Sequence, residues 1–87
     1  MGSYKVVVKR SVAKDLRRLP KKQVGNVLKR IEALGTEPRP RGAEKLTGQE
    51  KYRVRHGVYR IVYEINDEEI VVVVVKVGHR RDVYNIS

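Results

Sequence analysis

Cysteine is absent from the 87 residues, so disulfides, thiolate metal sites and cysteine nucleophiles are excluded. Long hydrophobic runs are missing too. The longest, Ile70 to Val75, ends at Lys76 and falls far short of the roughly 20 residues that cross a bilayer. The first twenty residues carry Lys5, Lys9, Arg10, Lys14, Asp15, Arg17 and Arg18, which leaves no room for the apolar segment of a secretory signal. The chain is therefore expected in the cytoplasm, without membrane contact. Histidine is scarce. His56 and His79 have no carboxylates at a spacing that would complete a zinc site, so no metal or other cofactor is expected.

Acidic charge is the next shortage. Ten Asp and Glu face 20 Lys and Arg, a net +10. Residues 1–44 hold 12 basic and 4 acidic side chains, and residues 45–87 hold 8 and 6. Such a surplus attracts polyanions by counterion release and long-range steering. It also serves plain solubility, and charge alone does not distinguish DNA, RNA, an acidic protein or a membrane surface. The length fits one domain, residues 1–87.

Tyr4 to Lys9 is a short β-branched run and predicts a strand. Ser11 is placed to cap a helix bearing Val12, Leu16 and Leu19, with Lys14, Asp15, Arg17 and Arg18 on a solvated face. Pro20 ends that helix or opens the next. Val24, Val27, Leu28, Ile31 and Leu34 form a second helical stripe, and Gly35 is placed as its left-handed cap. Thr36 to Gly42, with Pro38, Arg39, Pro40 and Arg41, is a loop. Lys45-Leu46 can begin a strand before a turn at Thr47-Gly48. Lys51 to Arg55 alternates basic and apolar residues, His56-Gly57 is a plausible two-residue turn, and Val58 to Ile65 is a longer strand. After a turn at Asn66-Asp67-Glu68, Glu69 to Val77 carries valines of both parities, as a strand covered on both faces does. The order predicts an α+β domain: an N-terminal strand, a two-helix hairpin, then a mostly antiparallel sheet of three to four strands.

With the turn at His56-Gly57, Arg53 faces Arg60. Lys51, Arg53, Arg55 and Arg60 then share the helix-free face, while Tyr52, Val54, Tyr59, Ile61 and Tyr63 face the helices. Like charges opposite one another repel, so either solvent and acids such as Glu64 neutralise them or they await a phosphate, which Arg grips through paired hydrogen bonds. Gly78 lets the chain turn into His79-Arg80-Arg81, and Val83, Tyr84 and Ile86 are apolar enough to dock this end. RNA cleavage without a metal needs a base for the 2′-OH, cations for the phosphorane-like transition state and an acid for the 5′-oxygen. Arginine suits the second role but not proton transfer. His79 and Tyr84 come first as proton carriers, ahead of His56, Glu64 and Asp82.

Leu46-x-Gly48, Tyr52-Arg53-Val54-Arg55, Tyr59-Arg60-Ile61-Val62-Tyr63, Lys76-Val77-Gly78-His79-Arg80 and Val83-Tyr84, in that order, resemble the RelE/ParE toxin superfamily, and its RelE branch above all. The resemblance implies a RelE-like fold and a toxin of a type II toxin–antitoxin system. Its activity would be ribosome-dependent cleavage of messenger RNA in the A site by 2′-OH attack. It implies catalytic roles for Arg60 and Arg80 on phosphate and for Tyr84 on the substrate base, with Arg53 and His79 as further candidates. Lys51, Arg55, Arg81 and Lys45 are the expected RNA-binding residues. Arg53 and Arg55 stand where relatives often have lysines, and His79 where some have lysine. Implied partners are a small, acidic, partly disordered antitoxin, the ribosome with its mRNA, and operator DNA only through the antitoxin complex. The competing expectations are a ParE-like inhibitor of DNA gyrase, without catalysis, and an inactive toxin that serves as its antitoxin's co-repressor.

Overall fold

The computed structural model describes residues 3–46 and 51–83. The elements run β1 (Lys5–Val8), α1 (Arg10–Arg17), α2 (Lys21–Thr36), β2 (Glu44–Lys45), β3 (Lys51–His56), β4 (Tyr59–Asn66), β5 (Val71–His79) and α3 (Arg80–Val83). Five strands form one sheet in the order β1-β5-β4-β3-β2. The hairpins β2–β3, β3–β4 and β4–β5 are antiparallel, but β1 runs parallel to β5. The sheet is thus mixed. The parallel pair joins elements far apart in sequence: α1, α2 and the strands β2 to β4 all lie between β1 and β5, and parallel neighbours need a connection longer than a hairpin.

The core lies between the helices and one face of the sheet. Val12 of α1 and Val27, Ile31 and Leu34 of α2 pack against Val54, Ile61, Tyr63, Val72, Val74 and Val77, all 3% exposed or less. Leu16 and Leu19 join at the margin, while Leu28 is left 43% exposed. Helix α1 begins with Lys9 as its cap residue, and no side chain caps it. Ser11 falls inside the helix rather than before it. Pro20 caps α2 with extended backbone, as the opening alternative required.

Gly35 has a different task from the expected cap. The helix runs past it to Thr36. A Cβ at Gly35 would lie 2.9 Å from the Tyr4 carbonyl oxygen and 2.9 Å from Val6 Cγ2, and the Tyr4 N–H donates to the Gly35 carbonyl at 2.6 Å. Glycine is needed because β1 crosses α2 here almost in contact.

The β3–β4 turn is Gly57-Val58, one residue later than expected. His56 pairs with Tyr59, Arg55 with Arg60, Arg53 with Val62 and Lys51 with Glu64. Gly57 takes φ +61, which fits the first position of a tight hairpin turn. The pairing slides by two residues, so every side chain keeps its expected face.

One irregularity matters further along. Val62 pairs with Lys76 but Tyr63 pairs with Val74, so Val75 is an extra residue in β5. This bulge resets the inside–outside alternation: Val72 and Val74 are buried before it and Val77 after it. Strand β5 lies inside the sheet, as its valines implied, but Val71, Val73 and Val75 on the other parity are only half-buried. Among the described residues, no helix is long and apolar enough to cross a membrane.

Candidate active site

Hairpin β3–β4 gathers the cations. Arg55 stands directly opposite Arg60, and Arg53 and Lys51 follow at two-residue steps on the same face. Arg60 is only 7% exposed, a deep position for a guanidinium. Two carboxylates share the face. Glu64 is the ladder partner of Lys51, and Glu44 pairs with Arg53 across β2–β3. Glu44 Oε2 accepts from Arg53 Nη2 at 2.6 Å. Arg53, with the fields of Arg55 and Arg60 added, holds the Glu44 carboxyl below the usual carboxylate range. One carboxylate therefore feels three guanidiniums at once. Four cations against two anions leave the face positive.

Strand β5 brings the chain end to this hairpin. Gly78 is the ladder partner of Arg60, so no side chain stands beside Arg60 on the β5 side. Two residues on, the Arg80 N–H donates to the Val58 carbonyl at 2.8 Å. Helix α3, with Arg80 and Arg81 exposed, thus starts at the turn that Arg55 and Arg60 flank. Tyr84 lies outside the described residues, as do the turn at Thr47-Gly48 and Ile86.

Two expected members stand elsewhere. His79 pairs with Tyr59 and His56 does the same from β3, which puts this row on the helix-bearing face. The Tyr59 and His79 rings meet edge-on at 6.2 Å. His79 Nδ1 accepts the Arg81 backbone N–H at 3.3 Å. The bulge at Val75 is the reason; regular alternation would have put His79 on the Arg60 side. Lys45 pairs with Tyr52 and so also belongs to the helix-bearing face.

Behind that row, between α1 and the end of β5, is a cavity of about 190 Å³ lined by Asp15, Arg18, Leu19, Tyr59, Lys76 and His79, among others. Asp15 is not solvated as the helix pattern predicts. It is 8% exposed, and its oxygens accept from Lys76 Nζ at 3.0 Å and from the Val77 N–H at 3.2 Å. Strand β1 pairs β5 only as far as Val74. Asp15 takes over where that strand stops and satisfies the edge amide β1 leaves. Sequence reasoning missed Asp15 and Glu44. Asp15 had a signal, being one residue from Leu16 and three from Val12 on α1. Glu44 precedes the stretch read as a strand and had none.

The chain is similar to known proteins in sequence and in fold. A family model described as the ParE toxin of the type II toxin-antitoxin system parDE matches residues 6–84. The chain belongs to the RelE/ParE superfamily of type II toxins. It is 33% identical to toxin RelG of Mycobacterium tuberculosis over 85 residues, 93% of this chain and 95% of that protein. Its structure is similar to the RelBE2 toxin–antitoxin complex of M. tuberculosis, with TM-score 0.80, 31% identity and 90% and 99% of the two chains covered. It is also similar to the archaeal RelE–RelB complex of Pyrococcus horikoshii, with TM-score 0.76, 32% identity and 90% and 96% covered. The RelE-like fold expected from the sequence is thus the fold of this toxin.

Proposed function

We propose that this toxin is an endoribonuclease that cuts messenger RNA in the ribosomal A site and so stops translation. The observation that carries the reading is the convergence of Arg53, Arg55 and Arg60 around one carboxylate, with α3 and its Arg80 starting at the same hairpin turn. In the reaction, the ribose 2′-oxygen bonds to phosphorus and the bond to the 5′-oxygen breaks. The products are a 2′,3′-cyclic phosphate and a free 5′-hydroxyl. Negative charge grows on the phosphoryl oxygens in between. Arg60 and Arg80 neutralise it, and a buried guanidinium is worth more there than one in water. Arg53, held by Glu44, sets the edge of the site, and Lys51, Arg55 and Arg81 hold the flanking phosphates. Tyr84 orients the base and takes part in proton transfer. His79 works differently from the sequence expectation: with Nδ1 engaged by the Arg81 amide, it is a positioning residue that seats the start of α3.

Partners follow from the charge. An acidic, partly disordered antitoxin would fold over the net +10 surface, as RelB partners RelE in the similar complexes. Operator DNA would be met only through that complex. The matching family description, ParE, favours a second reading, inhibition of DNA gyrase without catalysis.

The test is expression of wild type and Arg80→Ala followed by mapping of transcript 5′ ends. Wild type should give codon-phased cuts in translated messages. A folded Arg80→Ala protein should give none and should not arrest growth. Full cutting by that variant ends the assignment, and intact messages with gyrase-linked DNA breaks establish the second reading.

A further inference from the structure

The loop 37–43 carries an arginine motif, Pro38-Arg39-Pro40-Arg41-Gly42, for which the cleavage chemistry has no use. It is held on three sides. The Tyr63 hydroxyl donates to the Pro38 carbonyl at 2.6 Å. Arg39 bonds Asp67 at 3.0 Å and lies over the Tyr52 ring at 5.3 Å. The Ala43 N–H donates to the Pro40 carbonyl at 3.0 Å, and Gly42 takes φ +93. That is a tight turn with glycine at its third position, and it leaves Arg41 at the tip. The fold thus fixes this loop firmly yet leaves Arg41 exposed.

Arg41 lines a groove of about 330 Å³ with Arg30, Gly42, Glu44, Val54 and Arg55. The groove sits where β2 begins. Glu44 pairs with Arg53, and among the described residues no strand pairs β3 beyond it on that side. The Leu46 N–H donates to the Lys51 carbonyl, so by alternation the Arg55 amide also points out of this edge. Three guanidiniums, from α2, the loop and β3, thus face one opening. Among the described residues lining it, the one carboxylate is Glu44, which is engaged by Arg53. The groove is continuous with the cation face, because Arg55 belongs to both.

We infer that this groove binds the phosphodiester backbone of RNA outside the cleaved linkage, with Arg30 and Arg41 as its phosphate ligands. The inference deepens the endoribonuclease reading and rests on it for the nature of the polymer. Arginine forks spaced around an open edge suit successive phosphates. An RNA strand whose scissile phosphate meets Arg60 must leave the hairpin along one of its edges. The β3 edge is the one lined with cations.

The test is fluorescence anisotropy with a labelled 12-mer of 2′-O-methyl RNA, which has no 2′-OH to attack, titrated across KCl concentrations. The variants are Arg30→Gln/Arg41→Gln and, to keep the charge, Arg30→Lys/Arg41→Lys. Losing two phosphate contacts should flatten the plot of log K against log [KCl] by about 1.4 for a single strand. The lysine pair should restore most of that slope. Matched urea midpoints show that each variant is folded. A hairpin stem of the same chemistry is run alongside: flattening with the strand places message in the groove, and flattening with the stem alone places folded RNA there. Unchanged slopes in both, or loss of binding only to a polyglutamate peptide, overturn the inference. Slope loss in a protein whose wild type cuts no message leaves the groove standing while the cleavage reading falls.

Discussion

Replacing Asp15 isolates the device that ends the β1–β5 ladder. Its two oxygens serve different partners, the Val77 amide at 3.2 Å and the Lys76 ammonium at 3.0 Å. Val77 is 1% exposed, so in Asp15→Ala its N–H loses its acceptor where water cannot easily replace it. A buried unsatisfied amide costs about 1–3 kcal/mol. The Lys76 side chain is 32% exposed, so screening holds the ion pair to about 1 kcal/mol or less. Together Asp15→Ala should cost about 1–4 kcal/mol. Asp15→Asn keeps an acceptor for Val77 and forfeits only the charge, so it should cost about 1 kcal/mol. Urea denaturation at pH 7 measures both; the midpoint should fall and the slope m should hold. Hydrogen exchange at Val77 should quicken in the alanine variant and not in the asparagine one. Equal losses from the two substitutions would refute the reasoning, because the charge and not the amide would then be what counts. An alanine variant within about 0.5 kcal/mol of wild type would refute it too, since that is the range of an ordinary surface change.

Tyr63 supplies a pH test. Burial pushes its phenol up to about 12 from an ordinary 10.0, so the neutral form is favoured in the fold. The stabilisation is whole below pH 10 and drains away as pH climbs towards 12. Wild type should therefore lose stability over that window more steeply than Tyr63→Phe, when both are followed by urea midpoints at pH 8 and pH 11.5; parallel losses would refute it. At pH 8, Tyr63→Phe should cost about 1–3 kcal/mol, because the buried Pro38 carbonyl loses its donor. Glu44→Gln should act in the other direction on binding. Removing an anion beside Arg53 relieves repulsion to a nearby phosphate. Affinity for the 2′-O-methyl 12-mer should then rise; no gain would mean that Glu44 does not face the bound strand.

Periodicity reached the architecture but not the exceptions to it. The stripes on α1 and α2 and the alternation in β3 and β4 are burial patterns, and burial is what the core enforces. The faces of Arg53, Arg55 and Arg60 were legible for the same reason. A two-residue slide of the turn preserves parity, so the error at His56-Gly57 did not move them. Gly35 was legible as a special position but not as this one. A helix cap and a close crossing ask for the same residue, and only the partner strand tells them apart. Asp15 reads as solvated because Lys14, Arg17 and Arg18 surround it, although Leu16 beside it and Val12 three residues before it turn inward. What draws it inward is an edge amide 62 residues away, created by the early end of β1. The face of His79 is set by the bulge at Val75, between Val74 and Lys76, which the apolar run of β5 does not announce.

That bulge arranges much of the site. Were Val75 paired, Lys76 would continue the inward row of Val72 and Val74, and Gly78 would follow it towards the helices. A lysine in the core costs several kcal/mol unless it is paired, so the extra residue also removes a conflict between a valine strand and the lysine that ends it. With the bulge, Val77 fills the core and Gly78 comes to lie beside Arg60, while His79 goes to the helix side to receive the Arg81 amide. The position flanking the buried guanidinium is then the one without a side chain. The imidazole that could have filled it instead tethers the two arginines that follow. A single unpaired valine thus clears space at Arg60 and anchors the start of α3, and both results are what a phosphate held between Arg60 and Arg80 would require.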